Sequence, residues 1–183
     1  MMKVIETGFK GLIVIKPTIY TDPRGYFFES FNQAAFKTAG LDFSPVQDNE
    51  SKSVNGVIRG LHYQLQPFPQ AKLIRVVKGK ILDVALDIRK DSLTFGKWFA
   101  IELDSENKDQ LFIPHGFAHG FSVLSETAII QYKCDSVYNP KYERGINVND
   151  PGLDIYWKLG STIPVISEKD LAQPLFKDAE YNF

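Results

Sequence analysis

The sequence is a series of short apolar segments, each bounded by turn-forming residues. Short runs rich in Val, Ile, Phe and Tyr between Gly, Pro, Asn and Asp predict β-strands rather than helices. The spacing of these runs predicts an antiparallel sandwich or barrel. The predicted strands are Leu12–Ile15, Tyr26–Phe31, Val57–Leu61, Leu73–Val77, Ile81–Ile88, Trp98–Leu103, Gln110–Ile113, Phe117–Leu124 and Ala128–Cys134.

Helix signals are confined to two short segments. Asn32 to Ala39 has Asn32 as a predicted N-cap and Gly40 as a predicted C-cap, and Ser167 to Leu171 forms a short helical turn. No repeat, low-complexity tract or linker divides the sequence. We therefore predict one all-β domain over residues 1–183, an antiparallel double-sheet jelly roll with a few short peripheral helices and a cavity open at one end.

A Gly-centred turn is predicted between two of the strands. Lys78-Gly79-Lys80 predicts a hairpin turn between the strand before it and the strand after it. From Leu82 to Arg89, apolar residues alternate with residues that include Asp83 and Asp87. Because side chains alternate across a strand, this pattern predicts a strand with one buried and one polar face.

Charge and composition exclude several classes of function. The 183 residues include 21 Lys and Arg and 22 Asp and Glu, for a formal net charge of -1. We therefore expect no broad basic surface for nucleic acid or an anionic membrane. The single cysteine, Cys134, excludes an internal disulfide and fits a reducing compartment. Without an apolar signal segment or a run of membrane-spanning length, the expected location is the cytoplasm.

His62 and His119 lie within apolar, strand-like segments, where a histidine is more often structural than functional. His119 closes the segment Pro114–His119, a Pro-x-Gly-x-x-His pattern typical of cupin barrels. A metal-dependent cupin needs three or more His or carboxylate ligands. Here Gln64 stands where such a cupin has a second histidine, and no carboxylate follows until Asp83. We therefore predict no bound metal, which leaves an imidazole in a dry cavity as a base.

Other polar residues have ordinary explanations when taken alone. Asp170 reads as an exposed carboxylate at a helix start, Lys72 as a solvated cation at a strand end, and Tyr132 as a packed aromatic. A carboxylate bonded to one imidazole nitrogen would raise the basicity of the other nitrogen. The sequence does not establish whether Asp170 reaches His62.

Polar residues among aromatics suggest a nucleotide diphosphate as a ligand. They occur in Asp22–Glu29, in Gln47–Asn49 and at Arg59. Arginine binds phosphate oxygens through two parallel hydrogen bonds, and an amide can recognise the polar edge of a base. Asp-Pro-Arg-Gly alone is equally consistent with a β-turn.

Together these segments resemble the dTDP-4-dehydrorhamnose 3,5-epimerase family, and the resemblance spans essentially the whole chain. It implies a cofactor-free isomerase that inverts C3 and C5 of dTDP-4-dehydro-6-deoxy-D-glucose to give dTDP-4-dehydro-L-rhamnose. It also implies a homodimer in which the N-terminal segment helps build the partner's site. The segments that carry the resemblance are Arg24–Glu29, Gln47–Asn49, Arg59–Gln64, Gln70–Leu73, Asp83–Arg89, Phe112–Phe121 and Ser167–Asp170.

The resemblance further implies a role for individual residues. His62, paired with Asp170, would remove protons next to the C4 ketone. Tyr132 would return a proton from the opposite face of the ring, and Lys72 would stabilise the enolate oxygen. Tyr138 would stack on the thymine. The residues implied to bind the nucleotide sugar are Arg24, Glu29, Gln47, Asn49, Arg59, His119, Tyr138 and Glu143.

Several alternatives stay open at this point. Members of the same family invert only one carbon while they retain the same base, and Tyr132 favours double inversion without proving it. A non-catalytic cupin that binds a sugar nucleotide is a second alternative. A metal-dependent oxygenase is the third.

Overall fold

The computed structural model describes residues 2–183, and most of its strands form two antiparallel sheets. One sheet has six strands, in the spatial order β1 (Lys3–Glu6), β2 (Ile13–Lys16), β10 (Gln110–Ile113), β7 (Lys72–Lys78), β12 (Thr127–Cys134) and β5 (Gln47–Val54). The other has five, in the order β13 (Glu143–Gly145), β6 (Ile58–Gln64), β11 (Phe117–Val123), β8 (Lys80–Asp87) and β9 (Trp98–Asp104). The strands β3 (Tyr20–Asp22) and β4 (Gly25–Phe27) form a separate hairpin. The predicted double-sheet jelly roll is confirmed.

Apolar side chains hold these layers together in three clusters. One cluster packs the C-terminal part of the chain, including Trp157, onto the outer face of the five-stranded sheet. Another packs Phe36 and Phe43 onto the outer face of the six-stranded sheet. The remaining cluster fills the space between the sheets: Leu12, Val14, Ile74, Val76, Ile81, Ala85, Leu103, Leu111, Ile113, Phe117, Phe121, Val123, Ala128 and Ile130.

Strand β8 is buried on both faces, and the predicted polar face is wrong. Ile81 and Ala85 belong to the core between the sheets, so Asp83 on the same face also points inward. On the opposite face, residues such as Val84 pack against the C-terminal segment. The alternation correctly predicted a strand, but the charged side chains of Asp83 and Asp87 lie in the interior with no exposed surface.

The turn at Lys78-Gly79-Lys80 is not a hairpin, because β7 and β8 belong to different sheets. Gly79 has φ +82, and a Cβ at this position would lie 2.1 Å from the carbonyl oxygen of Thr127. Turn residues predict that the chain changes direction, but they do not specify which sheet the next strand joins.

Other differences concern strands with few apolar residues. Tyr26–Phe31 is a strand only at its start, where β4 ends at Phe27. Strand β5 was not predicted, because its sequence Gln-Asp-Asn-Glu-Ser-Lys-Ser-Val is polar on both faces. The remaining predicted strands are present, with small differences at their ends.

The predicted helix caps are largely confirmed. Helix α1 spans Gln33–Thr38, and the Asn32 side chain accepts a hydrogen bond from the amide of Ala35 at 3.1 Å. Ala39 is the C-cap, and Gly40 follows it with φ +77. Helix α2 spans Glu168–Leu171 with Ser167 as N-cap, and a 3-10 helix spans Phe176–Asp178. Within residues 2–183, no helix is long and apolar enough to cross a bilayer.

Asp87 holds the turn after β8 through several hydrogen bonds. Its carboxylate accepts hydrogen bonds from Arg89 Nη2 at 2.7 Å and from the hydroxyls of Ser92 and Thr94, each at 2.6 Å. Burial alone would raise the pKa of Asp87, but these bonds hold it below its ordinary value. The charged carboxylate therefore stabilises the fold above the ordinary aspartate pKa, and this contribution is lost as pH falls through the lowered pKa.

We expect Asp87→Ala to lower the free energy of unfolding by about 3–5 kcal/mol at pH 7, because it removes the buried carboxylate that accepts bonds from the half-buried Arg89 and from the hydroxyls of Ser92 and Thr94. Urea unfolding measures the loss. The matched control is Asp42→Ala at an exposed position, where we expect a change below about 0.5 kcal/mol. Equal losses for the two variants would contradict the account of Asp87.

Candidate active site

A cavity of about 550 Å³ lies between the two sheets. It brings together residues that are distant in the sequence, from β5, β6, β7, β11, β12 and the segment around α2. Six of the predicted site residues line it: Arg59, His62, Lys72, His119, Tyr132 and Asp170. The cavity is therefore the place where their chemistry can be combined.

The two sheets contribute different groups to this cavity. His62 on β6 and His119 on β11 come from the five-stranded sheet. Lys72 on β7 and Tyr132 on β12 come from the six-stranded sheet. Because the sheets pack face to face, the imidazoles and the phenol approach the cavity from opposite walls. A flat ligand between the sheets would meet a histidine on one face and a tyrosine on the other.

His62 is paired with Asp170. One ring nitrogen, Nε2, lies 2.7 Å from Asp170 Oδ1, and the second carboxylate oxygen accepts a bond from the amide of Gly60 at 3.4 Å. Burial alone would raise the pKa of Asp170, but the bonds from His62, Gly60 and Ser167 hold it below its ordinary value. Asp170 therefore stays ionised and fixes the orientation of the imidazole, and the ring nitrogen that is not bonded to it could accept a proton.

Two glycines allow the strands that carry the histidines to approach closely. A Cβ on Gly60 would lie 2.5 Å from the Cα of Gly120, and Gly60 has φ +125. A Cβ on Gly120 would lie 2.7 Å from the carbonyl oxygen of Arg59. Across this contact, His62 and His119 are register partners on β6 and β11. The glycine in the Arg-Gly-Leu-His segment thus has a steric reason.

His119 has its own buried carboxylate, which the sequence did not reveal. Its Nε2 lies 2.5 Å from Asp83 Oδ1, and the other oxygen of Asp83 has no hydrogen-bond partner within residues 2–183. The only signal for this pair was the charge in an otherwise apolar strand. The alternation in this strand predicts a solvent-facing Asp83, and its burial beside His119 shows that this prediction is wrong.

Lys72 and Tyr132 lie in an environment that shifts both of their pKa values. Burial lowers the pKa of Lys72, while the nearby Cys134, Asp83 and Glu143 oppose this shift. Burial also raises the pKa of Tyr132. Since both shifts favour the neutral form, Tyr132 keeps its proton as a potential acid.

A hydrogen-bonded group of side chains lies beside the cavity. Glu143 accepts bonds from the Tyr138 hydroxyl at 2.8 Å and from Lys169 Nζ at 2.6 Å. Gln47 accepts a bond from the amide of Tyr138 at 2.7 Å and donates to Asn49 at 3.0 Å. The structure therefore brings these predicted binding residues together. Lys169 also lines the cavity, but sequence reasoning gave it no role.

Arg24 and Glu29 do not line the cavity of their own chain. Arg24 lies at the β3–β4 turn, where its side chain is 90% exposed and ion-paired with Asp22 at 2.5 Å. Glu29 accepts a bond from Asn32 at 2.8 Å and lines a separate groove beside α1. In the single chain, neither residue contributes to this cavity.

Gln64, at the position of a metal ligand in other cupins, has a structural role. Its amide donates to the carbonyl of Phe68 at 2.7 Å and accepts from the amide of Asn139 at 2.6 Å. Within the described part of the chain, no group of three or more His, Cys, Asp or Glu could hold a metal ion. The donor set therefore does not fit the cavity to a metal centre.

Comparison with known proteins assigns the chain to a family. The model for the family described as dTDP-4-dehydrorhamnose 3,5-epimerase matches residues 6–178. The chain belongs to this family. An epimerase of this name from Methanothermobacter thermautotrophicus is 51% identical over 92% of this chain and 91% of its own length. One from Shigella flexneri is 49% identical over 98% and 99%.

A solved structure from the same family agrees in fold. The dTDP-6-deoxy-D-glucose-3,5-epimerase from Legionella pneumophila has a TM-score of 0.92 and 47% identity, covering 97% of this chain and 94% of that chain. That protein was solved in complex with dTDP-4-keto-L-rhamnose.

The opposite pKa shifts predict the order in which the cavity groups lose their protons. As pH rises, we expect Lys72 to deprotonate below the ordinary lysine value and Tyr132 to deprotonate above the ordinary tyrosine value, references of about 10.4 and about 10. Carbon-13 NMR of labelled lysine and tyrosine measures both, with Lys72→Arg and Tyr132→Phe assigning the signals. Lys169 is an internal control, because its bond to Glu143 raises its pKa. Loss of the tyrosine proton before the Lys72 proton would contradict this description of the cavity.

Proposed function

We propose that this protein is a dTDP-4-dehydrorhamnose 3,5-epimerase that inverts C3 and C5 of dTDP-4-dehydro-6-deoxy-D-glucose to give dTDP-4-dehydro-L-rhamnose. The placement of the proposed base and the proposed acid on different sheets supports this function most strongly. The His62–Asp170 pair on one wall of the cavity faces Tyr132 and Lys72, which come from the opposite sheet. Inversion of a carbon needs such an arrangement, since the proton must leave from one face and return to the other.

His62 is the proposed base. The hydrogens on C3 and C5 are acidic because each carbon flanks the C4 ketone, and removal of either one moves negative charge onto the ketone oxygen. The nitrogen of His62 that is not bonded to Asp170 takes the proton. The carboxylate of Asp170 then stabilises the resulting imidazolium and keeps the ring in place.

Lys72 and Tyr132 complete each inversion. A cation near the C4 oxygen stabilises the enolate, and in a cavity with little water this stabilisation is large. Lys72, which is 9% exposed, is the proposed cation. Burial lowers its pKa, but the negative charge that develops on the enolate oxygen favours the protonated form. Tyr132 then donates its phenolic proton to the carbon from the opposite wall. Before the second inversion, the His62 imidazolium releases its proton to solvent and the Tyr132 phenolate takes one from solvent. The raised pKa of Tyr132 supports this role, because the group is protonated at neutral pH.

The proposed substrate is a dTDP-linked 4-keto-6-deoxy sugar, with the nucleotide held by the polar group beside the cavity. Tyr138 would stack on the thymine, and Gln47, Asn49 and Glu143 would hold the nucleotide sugar together with Arg59 and His119. The complex of the Legionella pneumophila relative with dTDP-4-keto-L-rhamnose supports this choice of ligand.

We also propose a homodimer in which Arg24 and Glu29 complete the partner's site. Support comes from the exposed β3–β4 hairpin, whose aromatic residues Tyr20, Tyr26 and Phe27 are each more than half exposed. A large apolar surface of this kind favours burial against another protein. The single domain over residues 1–183, the absence of a cofactor and the cytoplasmic location stay predictions.

Reaction in deuterated water tests the proposed function. Each inversion exchanges a carbon-bound hydrogen with solvent, so we expect deuterium at both C3 and C5 of the product by proton NMR. Label at one carbon only would identify a single-carbon epimerase, and binding without exchange would identify a non-catalytic protein. We expect His62→Ala to lower exchange at both carbons by about 100- to 10,000-fold, the range expected on loss of a positioned base. Full exchange by His62→Ala would contradict the role of His62.

A further inference from the structure

Strand β5 presents a row of uncharged polar side chains to the cavity side. Its alternate residues Gln47, Asn49, Ser51 and Ser53 share one face, and Ser51 lines the cavity. The residues between them are exposed, and Asp48 pairs there with Lys133 at 2.6 Å. The polar residues of β5, which prevented its prediction as a strand, therefore place hydrogen-bonding groups on the cavity side.

Three of the four inner residues have hydrogen-bond partners. Gln47 bonds Tyr138 and Asn49, Asn49 also bonds the Cys134 sulfur at 3.8 Å, and Ser53 accepts from Arg59 Nε at 3.0 Å. Ser51 differs from them. Its hydroxyl oxygen is buried and meets no hydrogen-bond partner in the part of the chain that the structure describes. A buried polar group without a partner is rare and calls for an explanation.

The neighbour of Ser51 on this face is Ser53, which binds Arg59. Ser53 holds the guanidinium by one nitrogen, and Ser51 lies two residues earlier, about 7 Å along the strand. Arg59 and Ser51 both line the cavity. Among residues 2–183, the terminal nitrogens of Arg59 make no ion pair or hydrogen bond. A hydroxyl donor and a cation with free donors thus line the same cavity.

The charges around the cavity favour an anion at this place. The carboxylates of Asp170 and Asp83 are each bonded to a histidine. Arg59 has no carboxylate partner within the described residues, so its positive charge is uncompensated. Its charge also acts on Tyr132, where it opposes the rise of that pKa. An anion bound at Arg59 would therefore lie next to the reacting sugar, as the diphosphate of a nucleotide sugar does.

We infer that Ser51 is a diphosphate-binding residue whose hydroxyl donates to a phosphate oxygen that Arg59 also binds. This inference rests on the proposed function, from which it takes the nucleoside diphosphate. Rotation of the serine side chain between staggered rotamers turns the hydroxyl toward the cavity. Binding then supplies the acceptor that the free protein lacks, and a hydrogen bond to an anionic oxygen is among the stronger kinds.

Calorimetric titration with thymidine, dTMP and dTDP tests this inference without any chemical step. We expect Ser51→Ala to bind dTDP about 10- to 100-fold more weakly than the unaltered protein, the range for one hydrogen bond to a charged group. Thymidine, which lacks phosphate, should bind both proteins equally. The control Ser44→Ala removes an exposed hydroxyl elsewhere and should leave all three affinities unchanged. The melting temperature of Ser51→Ala should not fall, because the lost hydroxyl has no partner.

The outcomes separate this inference from the proposed function. If the unaltered protein exchanges hydrogens at C3 and C5 but Ser51→Ala binds dTDP as tightly, the inference is wrong and the function stands. Equal losses for thymidine and dTDP would mean damage to the cavity and would also overturn it. If the unaltered protein binds dTDP no better than thymidine, the inference fails, and the proposed function fails with it only if exchange at C3 and C5 is also absent. In turnover with the dTDP-sugar, we expect KM to rise while kcat stays within about threefold, as for uniform binding.

Discussion

The hydrogen bond between His62 and Asp170 joins parts of the chain that are 108 residues apart. For it to form, the C-terminal segment must cross the outer face of the five-stranded sheet and return to the cavity. The apolar cluster around Trp157, Val148 and Leu153 holds that segment in place. Stability and site geometry therefore depend on the same packing. A loose C-terminal segment would leave the imidazole without its carboxylate.

The buried carboxylates of the cavity are paired, whereas Lys72 and Arg59 have no carboxylate partner within residues 2–183. Asp170 and Asp83 are nearly inaccessible to solvent, and each is bonded to a histidine. Burial of an unpaired carboxylate would be costly, so these bonds are needed for the fold as well as for chemistry. Arg59 and Lys72 have no carboxylate at ion-pair distance within residues 2–183. The site is thus arranged for an anionic ligand.

The jelly roll could be predicted from the sequence because most strands carry an apolar face, as β7, β11 and β12 do. Strand β5 could not, since one face meets solvent and the other meets the cavity. The order of strands around the turn at Gly79 could not either, because local turn chemistry does not encode which sheet follows. These failures share one cause. Both depend on contacts between segments that are distant in the sequence.

The same limit applies to the site. His62 and His119 were identified from their own segments, His62 by the preceding Arg59-Gly60 and His119 by its Pro-x-Gly-x-x-His pattern. Asp170 and Tyr132 were proposed only through resemblance to a family, and nothing local distinguishes them from a helix-start carboxylate and a packed aromatic. Asp83 and Lys169 were missed, since their value lies in partners 36 and 26 residues away.

The central claim is that base and acid act from opposite sheets on a sugar held between them. A crystal structure of the protein with dTDP-4-keto-L-rhamnose tests it most directly, through the distances from His62 and Tyr132 to C3 and C5. We predict a ring nitrogen of His62 on one face of the sugar, the Tyr132 hydroxyl on the other, and Lys72 Nζ next to the C4 oxygen. His62 and Tyr132 on the same face, or a sugar bound outside the cavity, would contradict the account.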